Sequence, residues 1–105
     1  MNGYHETCLI PVEVFAETVY VLTKFYKIER TLVRQKLLGI IWNENVEVPN
    51  QAVVETALHY FGETKFDFVD CLMLGYTIVE GHRVLTFDEK LKKFLLSSMS
   101  ETRLL

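Results

Sequence analysis

The amino-acid sequence predicts an α/β fold built on a short parallel sheet. Three observations carry that reading. Short apolar runs of strand length alternate along the chain with longer stretches of helical period. Both prolines, Pro11 and Pro49, directly follow such short runs, where each is suited to open a helix. The stretch from Phe66 to Val79 is apolar on almost every side, the pattern of a helix covered by its neighbours.

Taken in order, Cys8, Leu9 and Ile10 form the first strand-like run. From Val12 the period becomes helical, with Phe15, Val19, Leu22 and Tyr26 on one inward stripe. Residues 30 to 42 repeat the period through Val33, Leu37, Ile40 and Ile41. Asn43, Glu44 and Asn45 then supply turn chemistry before a second strand at Val46, Glu47 and Val48. Asn50 is a suitable N-cap for a half-exposed helix striped by Val54, Ala57, Leu58 and Phe61, and Gly62 suits its stop. The Phe66 to Val79 helix follows, closed by Gly81. Val84 to Phe87 reads as a buried strand. Asp88 opens a last helix that turns Leu91, Phe94 and Leu95 inward and Lys90, Lys92 and Lys93 outward, with a fraying tail from Ser97. In such folds the loops at the carboxyl ends of the strands are the default place for a site.

At 105 residues and 50% hydrophobic, residues 1–105 make one domain with a single modest core. The formal charge of -3 means that bulk electrostatics would not draw this surface to nucleic acid, so any such binding rests on local patches or bound cations. Cys8 and Cys71 have no framework spacing and read as reduced thiols in a cytoplasm, packed as small core hydrophobes. No apolar run approaches a membrane span and Met1 to Thr7 is polar, so a soluble, cytoplasmic protein without membrane contact is expected.

Three carboxylates stand out by context. Glu17 lies in the first strand-to-helix unit, Asp70 in the apolar stretch, and Asp88 just past the strand at 84 to 87. Asp88 equally suits an N-cap, and Asp67, three residues before Asp70, fits the structural capping role better still. Asp70 resists that explanation, because it is the one charge between Phe68 and Val79 and an unpaired buried carboxylate is costly. Glu17, spaced from Val14 and Val21 on a face expected to be partly buried, has Glu13 one turn before it. A divalent ion relieves both tensions, since Mg²⁺ and Mn²⁺ take oxygen ligands from a few carboxylates and keep waters for chemistry. His5, His59, His82 and the cysteines show no zinc spacing, and fingerprints of serine nucleophiles, phosphate loops and dinucleotide sites are absent. Phe66, Phe68, Tyr76 and Phe87 fall on the most apolar elements and read as core.

Three stretches together resemble the PIN domain family, and particularly the VapC-like toxins of prokaryotic toxin–antitoxin pairs. They are Ile10 to Leu22 with Glu17, the Asp67-Phe-Val-Asp70-Cys-Leu-Met run, and the Val84-Leu-Thr-Phe-Asp88-Glu-Lys-Leu run, covering about residues 8–96 in family order. The resemblance implies a three-layer α/β/α domain whose acids hold Mg²⁺ or Mn²⁺ at the carboxyl edge of a parallel sheet. It implies Glu17, Asp70 and Asp88 as catalytic metal ligands, Asp67 as an accessory acid, and a metal-activated water that cleaves an RNA phosphodiester. Lys24, Lys27, Arg30 and Arg34 would then position RNA phosphates, or else form a solvated helix face. The family opens with a strand ending in an aspartate, whereas no Asp precedes Asp67 here. The expectation is therefore a domain incomplete at its N-terminus, with exposed strand edges that favour a homo-oligomer. Two functions follow: a metal-dependent endoribonuclease partnered by an antitoxin protein, or a catalytically inactive PIN-like module acting through protein–protein contact.

Overall fold

The computed structural model describes residues 6–81 and Lys93. The predicted strand at Val84 to Phe87, the helix beginning at Asp88 and the tail lie outside the described residues. Within them the order is β1 (Cys8–Leu9), α1 (Val12–Tyr20), a π-helical turn (Val21–Phe25), α2 (Arg30–Ile41), β2 (Val46–Glu47), α3 (Gln51–Glu63) and α4 (Phe68–Glu80). The two strands are parallel, with Cys8 opposite Val46 and Leu9 opposite Glu47. Backbone bonds from Cys8 N–H to Asn45 O at 2.7 Å and from Ile10 N–H to Glu47 O at 2.9 Å extend the ladder. This is the mixed α/β arrangement with a short parallel sheet that the alternating pattern predicts, and it is consistent with a PIN-like fold.

Helix α3 packs chiefly along α4 and also against α2, while α1 touches α4. The core is drawn from Phe15 and Val19 of α1, Val33, Leu37 and Ile41 of α2, Val53, Val54, Ala57, Leu58 and Phe61 of α3, and Phe68, Cys71 and Leu72 of α4. One position shows how closely α3 and α4 approach. A Cβ built on Gly75 would lie 2.6 Å from the Val53 carbonyl oxygen, so only glycine fits that crossing without a shift. Gly81 closes α4 as expected, in the left-handed conformation at φ 70°. No helix among the described residues is long and apolar enough to cross a membrane.

Several local expectations need correction. Tyr26 does not continue the inward stripe of Phe15, Val19 and Leu22 but is exposed. The cause is the π-helical turn, in which the Tyr26 N–H reaches back five residues to Val21 O at 3.2 Å. One residue more per turn shifts the helix phase and turns Tyr26 outward. Ile40 is likewise exposed, leaving Val33, Leu37 and Ile41 as the buried row of α2. Asn50 occupies the N-cap position of α3 in a left-handed conformation, φ 57° and ψ 43°, and makes no side-chain cap. Its carbonyl instead accepts from Val53 and Val54 N–H. Gly62 does not stop α3, which runs to Glu63, where the Thr64 N–H and hydroxyl both donate to Tyr60 O. Of the two cysteines Cys71 is buried and Cys8 is exposed, so only the former is a core hydrophobe.

Candidate functional site

The N-terminus of α4 places two acids one turn apart. Asp67 stands at the N-cap position with extended backbone, yet its side chain makes no capping hydrogen bond, contrary to the structural role expected for it. Asp70 follows in the first helical turn, half-buried where full burial is expected from sequence. The positive end of the helix dipole favours carboxylates at both positions.

Opposite them lies the turn between α1 and α2. The π-helical segment and the left-handed Lys27, at φ 56°, reverse the chain sharply before α2 begins. Between the two walls is a cleft of about 770 Å³. Its lining includes Ala16, Val19 and Tyr20 of α1, Lys24 and Lys27 of the turn, Arg30 at the start of α2, and the run from Asp67 to Asp70. The sequence-predicted residues Asp67, Asp70, Lys24, Lys27 and Arg30 therefore share one cleft.

Arg30 acts mainly as scaffold. Its Nε donates to Phe61 O at 2.8 Å, its Nη2 donates to Phe66 O, and its guanidinium stacks 3.6 Å from the centroid of the Phe61 ring. The first bond satisfies one of the last carbonyls of α3, and the second fixes the residue immediately before Asp67. Burial lowers the pKa of the Arg30 guanidinium, an effect opposed by the neighbouring Cys71 thiol and Asp67 carboxylate. Cys71 lies behind the acids. Burial pushes its thiol up to about 11, so at neutral pH it is an inert thiol and not a nucleophile.

Other predicted site residues are placed differently. Glu17 is exposed, not partly buried, and does not line the cleft, although Ala16 and Tyr20 on either side of it do. Arg34 faces a separate groove with Leu38 and Trp42, and pairs with Glu63 at 3.1 Å. Asp88 lies outside the described residues. Among the described residues, no three His, Cys, Asp or Glu side chains gather as a metal-holding group. Two hard oxygen donors, Asp67 and Asp70, do share the cleft, and a Mg²⁺-type site uses as few as one or two carboxylates with waters and substrate phosphate. The donor chemistry thus fits a hard divalent cation. Sequence reasoning missed Tyr20 as a lining residue and the clamp made by Arg30. The signal for Arg30 was faint, since a guanidinium that binds two backbone carbonyls leaves no partner residue in the sequence pattern.

Fold and cleft together define an α/β domain with an acidic pair and a lysine rim facing each other across one opening. The family model of the PIN domain matches residues 1–94, and the chain belongs to the PIN domain family. It is thereby a member of a nuclease superfamily whose domains are generally dependent on a divalent metal. Neither the curated proteins nor the solved structures contain a match to this chain.

Proposed function

We propose that this protein is a metal-dependent endoribonuclease, the toxin of a toxin–antitoxin pair, that hydrolyses RNA phosphodiesters. The observation that carries the reading is the convergence of Asp67 and Asp70 with Lys24 and Lys27 on one cleft, in a chain of PIN-domain sequence. Asp70 and Asp88 would hold Mg²⁺ or Mn²⁺ together with Glu17, which stands on α1 outside the cleft lining, and Asp67 would serve as an accessory acid near the metal. When bound, the cation supplies an acidified water and neutralises charge developing on the phosphate. Lys24 and Lys27 draw the backbone phosphates to the opening as mobile point charges. Arg30 contributes by fixing the loop ahead of Asp67, and Cys71 takes no part. The antitoxin and the homo-oligomer belong to the same proposal, the latter motivated by the exposed Leu9 on β1.

The test is Mn²⁺ titration by calorimetry on the wild-type chain and on Asp70→Asn, followed by RNA cleavage. Binding that weakens at least tenfold in Asp70→Asn, with cleavage lost alongside, is expected. A wild-type chain that takes up no Mn²⁺ would overturn the nuclease reading. That outcome favours the second reading, an inactive PIN-like module working through protein contacts, which has its own motive: no three acids gather among the described residues.

A further inference from the structure

The turn between α1 and α2 carries more than two lysines. Tyr20, Phe25 and Tyr26 are 54%, 72% and 69% exposed, within a single stretch of seven residues from 20 to 26. Helical period alone would have buried Tyr26 beside Phe15, Val19 and Leu22, and it is the π-helical turn that rotates it into solvent. Leaving rings of this size in water forgoes a large share of the burial that otherwise holds a small domain together. Tyr20 and Phe25 meet edge to face with centroids 6.3 Å apart, so the two are held as a preformed surface. Lys24 and Lys27 are interleaved with the rings, and no acidic residue occurs between Glu17 and Glu29. Tyr20, Lys24 and Lys27 also line the cleft that holds Asp67 and Asp70, so Tyr20, in edge contact with Phe25, joins the rings to it.

We infer that Tyr20, Phe25 and Tyr26 form a stacking platform for unpaired bases, with Lys24 and Lys27 holding the adjoining phosphates. The inference rests on the nuclease reading for its biological setting, but its physical basis is independent of the metal. Charge decides the occupant. The cores of protein–protein interfaces are depleted in lysine, whereas aromatic faces interleaved with cations match the alternation of base and phosphate along a single strand. A duplex keeps its bases stacked inside and offers these rings nothing to stack on.

The experiment is fluorescence anisotropy of a labelled oligouridylate with the full chain in EDTA, which removes cleavage and makes this test separate from Mn²⁺ uptake. A duplex of equal length is the competitor. Wild type is expected to bind the single strand at least tenfold more tightly than the duplex. Phe25→Ala and Tyr26→Ala are each expected to weaken single-strand binding by about fivefold or more, and Tyr26→Phe to retain it, since the stacking face and not the hydroxyl makes the contact. The substituted side chains are exposed, so unchanged circular dichroism melts accompany these losses. Equal affinity for duplex and single strand, absence of binding, or alanine variants that bind like wild type would each overturn the platform. A concentration-dependent self-association abolished by Phe25→Ala, with oligouridylate binding unaffected, would reassign the face to protein contact.

Discussion

Arg30 joins three parts of the structure that the chain brings together from distant positions, and its removal has a calculable cost. In Arg30→Met the aliphatic stem keeps its packing, but Phe61 O and Phe66 O lose charged donors and the Phe61 ring loses a stacked cation. Hydrogen bonds to charged groups contribute about 1.5–3 kcal/mol each, and the site is only partly buried, so water recovers part of that for each carbonyl. A stacked cation adds roughly 0.5–1 kcal/mol. The net loss is about 3 kcal/mol, a large fraction of the roughly 5–15 kcal/mol that holds a domain of this kind folded. With a urea slope of about 1–3 kcal/mol/M the midpoint should fall by about 1.5 M without a change in slope. Arg30→Lys should recover less than half, because one ammonium cannot repeat the planar fork that spans both carbonyls. Urea unfolding followed by far-UV circular dichroism measures both. A midpoint for Arg30→Met that corresponds to less than about 0.5 kcal/mol, or a lysine variant as stable as wild type, would refute the clamp.

Gly75→Ala should destabilise by about 1–3 kcal/mol, because the added Cβ meets the Val53 carbonyl at 2.6 Å and backbone cannot rotate away as a side chain does. Gly39→Ala is its control: nothing lies within 4 Å of the new Cβ, so the gain in helix propensity of about 0.5–1 kcal/mol should appear unopposed, and equal effects at the two sites in urea unfolding would contradict the packing argument. For Cys71 the folded thiol sits at about 11 against its usual 9.0, so burial favours the neutral form in the folded state. That contribution is complete below about pH 9 and is lost as pH rises through about 11, so the stability difference between wild type and Cys71→Ala should shrink or reverse across that window. Native-state labelling with a disulfide reagent should modify exposed Cys8 and spare buried Cys71, and equal labelling rates would contradict the burial.

What the sequence made legible was what depends on period and on glycine. The parallel sense of the sheet follows from strands alternating with helices, and Val33, Leu37 and Ile41 of α2, the stripe Val54, Ala57, Leu58 and Phe61 of α3, and Gly81 at the end of α4 follow from period and local chemistry. The failures share a different cause. The π-helical turn changes the phase of a helix by one residue without any signature in composition, so Tyr26 changed sides. Lys27 adopts left-handed backbone although its residue type does not favour it, so tertiary closure sets the geometry there, whereas Asn50 is a type that tolerates this region and uses it in place of the side-chain cap expected of it. Asp67 and Asp70 were visible as acids, but whether they cap, pair or face a cleft depends on the α1–α2 turn that packs across from them. Glu17 shows the converse error, since a helical spacing from Val14 implied burial that the exposed Val14 itself does not have.

Electrostatics ties the two walls of the cleft into one argument. A phosphate approaching Asp67 and Asp70 is repelled, and two unit charges about 4 Å apart interact by roughly 4 kcal/mol at the effective dielectric of a protein surface. Lys24 and Lys27 oppose that repulsion only at the rim, because their charges sit on flexible stems in solvent and salt screens them. On the proposed function they would hold a strand at the opening, not bring a phosphodiester against two carboxylates. A divalent cation on the acids reverses the sign of the field where the lysines cannot reach. On the proposed function, strand capture by the lysines and rings would be separable from cleavage at the acids: the first should proceed in EDTA and weaken with salt, and the second should require the metal. An acidic chain needs this division more than a basic one, since a formal charge of -3 gives it no general attraction for a polyanion. The stretch from 18 to 28, with Lys24 and Lys27 and no acidic residue, is where the proposed function would concentrate such local attraction.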